Sequence, residues 1–113
     1  MLQQFNEKNR DLLVNINGQI VHRDQAGISP FDSAVQGGDA VWEGLRLYDG
    51  RIFKLTEHLA RLRRSAEALA FTEIPTSEKI LDEIKRTLAA NQMRDGVHIR
   101  LTLTRGVKAT SGM

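Results

Sequence analysis

The sequence has no cysteine. That absence excludes a disulfide framework, a thiolate metal site and a cysteine nucleophile. Aromatic residues are scarce, with one tryptophan and one tyrosine in 113 residues, so the place given to that tryptophan carries information. No apolar run approaches the roughly 20 residues needed to cross a bilayer, and the opening MLQQFNEKNR lacks the apolar stretch of a secretory signal. A cytoplasmic protein with no membrane partner is expected. An excess of one charge is also missing: 16 basic residues face 14 acidic ones for a net +2. That balance is too mild to argue nucleic-acid binding, which requires Lys and Arg gathered on one surface.

What is present fits one folded module. A single hydrophobic core usually spans roughly 50–200 residues, and 41% hydrophobic with 27% charged content is ordinary for a globular domain. No solenoid-type repeat and no low-complexity segment appears.

LLVNINGQIVHR reads as a β-hairpin from Leu12 to Arg23 around Asn17-Gly18, a pair suited to the positive φ angles of a type I′ turn. The Gly, Ser, Pro and Asp of DQAGISPFDSAVQGGDA predict turns and one helical turn near Asp32. A second hairpin follows, with Val41 to Tyr48 as its long strand and Asp49-Gly50 as its turn. Thr56 is the expected N-cap of a first helix, whose Leu55, Leu59, Leu62, Ala66 and Leu69 form one apolar stripe. After Pro75, Thr76 or Ser77 caps a second helix that presents Ile80, Leu81, Ile84 and Leu88 on one face. The clearest strand is the last: Val97, Ile99, Leu101 and Leu103 alternate with His98, Arg100, Thr102 and Thr104. The expected fold is α+β, a largely antiparallel sheet with both amphipathic helices packed on one face.

Period-two alternation puts Trp42, Gly44, Arg46 and Tyr48 on one face of the long strand, away from Val41, Glu43, Leu45 and Leu47. A glycine within a strand often marks close approach of a ligand or another backbone, so Gly44 between Trp42 and Arg46 reads as a floor. His98 and Arg100 point together on the last strand, and one sheet holding both strands would join these faces into a wall. Solvated strand faces are common, and alternation alone favours water over a ligand for the arginines. Trp42 favours the ligand, because a wet indole is costly.

The stretch TEHLARLRRSAEALA carries three arginines within four residues. At ~100° per residue from Leu62, Arg64 points nearly opposite the apolar stripe, while Arg63 and Arg61 flank it at about +100° and −100°. Around Arg61 lie His58, Ser65 and Ala68. Phase leaves Arg61 open between an anion and an exposed i,i+4 pair with Glu57.

At these residues the chain resembles the class IV, or fold-type IV, pyridoxal-phosphate aminotransferases. The resemblance rests on GGDAVWEGLRLYDGRIFKLTEHLARLRRSAEAL, ANQMRDGVHIRLTLTRG and the leading VNINGQIV, in order and spacing. It implies the small N-terminal domain of such an enzyme. It implies that Arg61 binds the phosphate of pyridoxal 5′-phosphate, a role suited to a guanidinium fork. It also implies that Trp42, Gly44, Arg46, His98 and Arg100 line the substrate site. Arg46 and Arg100 match the branched-chain members, whereas His98 and Trp42 stand where those often carry tyrosine and phenylalanine. No catalytic residue is expected here, because the family's Schiff-base lysine lies in the larger C-terminal domain, and Lys8, Lys54, Lys79, Lys85 and Lys108 match no such position. VKATSGM resembles the start of the loop toward that domain. The implied protein is a homodimer that moves an amino group from a branched-chain or similar hydrophobic amino acid to 2-oxoglutarate, with no metal. The alternatives are an aminodeoxychorismate lyase of the same family and, for the isolated chain, an inactive module binding an anion or a partner.

Overall fold

The structure is a computed structural model that describes residues 4–107. The reading of VKATSGM lies outside the described residues from Lys108 onward. The fold is of the expected α+β class, with every strand pairing antiparallel. The strands, expected in one sheet, fall in two of order β1-β2 and β4-β3-β5. The chain divides into two compact units, Met1–Gly27 with Glu78–Met93 and Ile28–Ser77 with Arg94–Met113.

In the first unit, β1 (Leu13–Ile16) and β2 (Gln19–His22) form the predicted hairpin. Its turn takes φ 55° at Asn17 and 86° at Gly18, the pair of left-handed positions that a type I′ turn demands. The second amphipathic helix, α3 (Ser77–Ala90), supports the hairpin. Asn91, just past the helix, accepts the Leu13 N–H at 2.8 Å and donates to the Leu13 carbonyl at 2.9 Å, so one amide side chain completes the ladder of an edge strand. Asn15 donates to Glu83 at 2.7 Å. Ile84 is the buried residue of the predicted helix face.

In the second unit, β3 (Ala40–Tyr48) is the central strand, flanked by β4 (Arg51–Ile52) and β5 (Val97–Thr104). Helix α2 (Leu55–Ala68) lies on the face bearing Val41, Leu45 and Leu47 and buries Leu59, Leu62 and Ala66 against it. Thr56 is not the cap of this helix. The Phe53 N–H still bonds the Arg46 carbonyl at 2.9 Å, Lys54 turns the chain at φ 53°, and the His58 N–H already reaches the Lys54 carbonyl at 3.0 Å. The helix is therefore under way at Leu55, and Thr56 sits in its first turn. At the other end Ala70 takes φ 59° and Phe71 donates to the Ala66 carbonyl at 2.9 Å. This left-handed stop turns Phe71 into the core and leaves Leu69, the expected end of the stripe, exposed.

The predicted helical turn is α1 (Ser33–Gly37), capped by Asp32. The segment around it locks the sheet entrance: the buried Ser33 donates to the Asp39 carbonyl at 3.0 Å and accepts the Arg105 N–H at 2.9 Å. Asp32 accepts from the Thr104 hydroxyl at 3.1 Å. The Ser- and Asp-rich connection thus ties the start of β3 to the end of β5.

Candidate functional site

The register of β3 and β5 sets Gly44 opposite Arg100, Arg46 opposite His98 and Trp42 opposite Thr102. All these residues share the sheet face turned away from α2. Trp42 is 54% exposed, and the Arg100 guanidinium lies 3.8 Å from its ring centroid, a close cation–π stack. A Cβ added at Gly44 would stand 3.2 Å from His98 Nε2 and 3.6 Å from Trp42 Cζ3. The indole and imidazole therefore lean over the strand at the one position without a side chain. Neither Arg46 nor His98 has a side-chain hydrogen bond or ion pair among the described residues.

Arg61 lies on the other side of the sheet. Its partner is Glu43, from the buried face of β3, and not the Glu57 considered from helix spacing. Nε donates to both carboxylate oxygens at 2.9 and 3.2 Å, and Nη2 donates to Oε1 at 2.7 Å. His58, one helical turn earlier on α2, donates Nδ1–H to the same Oε1 at 2.6 Å. Glu43 is only 3% exposed. The Arg61 hydrogen bonds hold its carboxyl below the usual carboxylate range despite burial, which acts the other way, with His58 adding to the lowering. The same bonds push the guanidinium of Arg61 further up.

The Arg61 side chain nonetheless remains 62% exposed. Glu43 occupies the Nε edge of the fork, and Nη1 has no partner among the described residues. A guanidinium presents five N–H donors, so one edge is held by the protein and another stays open to an anion. A phosphate fits that open edge, since guanidinium and phosphate oxygens match in bidentate geometry. Arg63 instead donates to the Pro75 carbonyl at 2.9 Å, and Arg64 is exposed.

The five candidate substrate residues thus share one wall, and Arg61 stands apart from them across β3. Sequence reasoning missed Glu43 as part of the site, and placed His58 beside Arg61 without giving it a role. The signal was available: a carboxylate in an otherwise apolar period-two face requires a cationic partner. Among the described residues, no group of three or more His, Asp or Glu side chains is placed to hold a metal ion, and no helix is long and apolar enough to cross a membrane.

The family model for amino-transferase class IV matches residues 40–112. A branched-chain-amino-acid aminotransferase-like protein 2 of Arabidopsis thaliana is 58% identical over 94% of this chain and 19% of its own length. A D-alanine aminotransferase of Staphylococcus haemolyticus is 35% identical over 83% of this chain and 33% of its own length. The chain therefore spans a fifth to a third of the relatives it matches. Among solved structures, the T.th. branched-chain amino acid aminotransferase complexed with N-(5′-phosphopyridoxyl)-L-glutamate superposes with a TM-score of 0.75 at 31% identity. That match covers 88% of this chain and 34% of the other.

Proposed function

Because the chain belongs to the class IV aminotransferases, we propose that the complete protein moves an amino group from a branched-chain or similar hydrophobic amino acid to 2-oxoglutarate. Pyridoxal phosphate, bound in the complete enzyme, would supply the electron sink that such chemistry requires. The observation that carries the cofactor part of the proposal is the open edge of Arg61. Its donors would hold the phosphate, while Glu43, itself bonded to His58, keeps the guanidinium against β3.

The outer wall of the sheet would hold the substrate. Trp42 offers an apolar surface for a hydrophobic side chain, and Arg100 and Arg46 offer cations for a carboxylate. The T.th. enzyme, complexed with a molecule that joins a phosphopyridoxyl group to glutamate, supports the cofactor part of this reading. The lysine that carries the covalent chemistry is proposed to lie outside these 113 residues, so the chain alone is inactive. The complete protein would act as a cytoplasmic homodimer.

Amino-group transfer to 2-oxoglutarate, measured with leucine, valine and D-alanine and alongside pyruvate release from aminodeoxychorismate, tests the reading. The expected result is glutamate formation with the branched-chain donors. A preference for D-alanine, or pyruvate release without transfer, would overturn the substrate assignment. Arg61→Ala should weaken binding of pyridoxal phosphate by about 10–100-fold, the loss of a charge-assisted fork, and Arg64→Ala should leave it unchanged. Equal effects would remove Arg61 from the site.

A further inference from the structure

We propose that Glu43, steadied by His58, is a positioning residue: it presents the open edge of the Arg61 guanidinium to a phosphate dianion. The inference rests on the reading of Arg61 as the phosphate anchor and adds what makes that anchor effective. Arg61 leaves a helix surface where water competes for it, and a free arginine there would sample many rotamers. Three short contacts from Nε and Nη2 to a carboxylate that is itself buried fix the plane of the fork. His58 donates to the oxygen that Nη2 also uses, so the carboxylate cannot rotate without breaking bonds to both side chains. The plane of the guanidinium is thereby referred to the backbone of β3 rather than left to solvent.

Two effects of Glu43 on an anion oppose each other. Its negative charge beside Arg61 weakens attraction for phosphate, whereas its geometry preorganises the donors. At an exposed guanidinium the charge effect is damped by water and salt. Orientation is not screened, and the geometry therefore predicts that orientation prevails.

The test compares affinity for pyridoxal phosphate with affinity for pyridoxal, which lacks the phosphate, in the complete protein. The ratio isolates the phosphate contribution and does not move when a variant merely loosens the fold. Glu43→Gln keeps the shape and removes the charge. It should reduce the ratio about tenfold, the scale on which losing a supporting partner acts in other preorganised sites. His58→Gln, on the half-exposed flank of α2, should reduce it in the same direction by about threefold, and it carries the test alone if Glu43→Gln does not fold. An unchanged or raised ratio in either variant, while Arg61→Ala lowers it, would overturn the positioning role and leave the anchor standing. An unchanged ratio in Arg61→Ala would remove the anchor itself, and the positioning role with it.

Discussion

On one side of β3, Val41, Glu43, Leu45 and Leu47 lie buried toward α2; on the other, Trp42, Arg46 and Tyr48 are exposed. The two sets alternate along nine residues of a single strand. The buried side admits one charge and satisfies it completely, with His58 and Arg61 closing on Glu43. The open side keeps two arginines, a histidine and the only tryptophan, and the stack on Trp42 is the Arg100 guanidinium. Charge on the first face serves to aim a side chain, and charge on the second is left available. A strand can divide its work in this way because its side-chain period is two.

The largest effect that would sharpen this division comes from neighbours in sequence. Leu45 is fully buried, and Leu45→Ala should cost about 2–5 kcal/mol through lost burial and the cavity left behind. Arg46→Ala, one residue on and facing out, should change stability by less than ~0.5 kcal/mol. Denaturant unfolding of the chain measures both. Comparable losses would mean that the outer face is also core, and the distinction would collapse.

Much of this architecture is legible in the sequence because it is written in local chemistry. Asn17-Gly18 and Asp49-Gly50 specify their turns through positive φ, and Val97 to Thr104 shows its two faces by alternation alone. What cannot be read is what depends on long-range geometry. The start of α2 departs from the expected Thr56 cap because Lys54 turns the chain without any side-chain cap. Helix spacing offers Arg61 only Glu57 as a carboxylate partner because it shows only local neighbours, whereas Glu43 is 18 residues away and meets Arg61 only once α2 folds back over β3. Phe71 takes the core place expected of Leu69 for the similar reason that Ala70 reverses the chain. The pairing of Gly44 with Arg100 across two strands likewise becomes visible only with the register.

A smaller effect follows from acid. The Glu43 carboxyl is held below the ordinary value of 4.5 by Arg61, with His58 contributing. A group depressed in the folded state adds stability that is fully present above its unfolded pKa and disappears as pH falls through its folded one. Glu43→Gln removes that contribution, so the stability of the variant should fall less steeply than the parent's as pH drops below about 4.5. The parent is expected to keep a second acid-sensitive pair in either case, because the hydrogen bond from Asn15 lowers Glu83 in the hairpin unit, with Arg86 adding to it. Thermal unfolding from pH 7 to pH 3 checks the slopes. Identical slopes would show that the buried face does not depend on the ionised carboxylate.

The smallest effect on stability is expected at Gly44, where the two faces meet in one backbone. Its φ is not in the left-handed region, so alanine fits the backbone, and replacing a strand glycine typically returns about 0.5–1 kcal/mol of chain entropy. Against this, the new Cβ would lie 3.2 Å from His98 Nε2, tighter than ordinary contact. That atom is the far end of an exposed side chain, which can yield by a few tenths of an ångström. Gly44→Ala should therefore leave stability within ~0.5 kcal/mol of the parent while displacing the His98 imidazole, seen as a shift of its NMR ring resonances. In the complete enzyme the same change should raise KM for the amino-acid donor more than it lowers kcat, because it alters the floor of the proposed substrate wall and leaves Arg61 untouched. A loss of stability as large as that of Leu45→Ala would instead make Gly44 a packing requirement of the sheet.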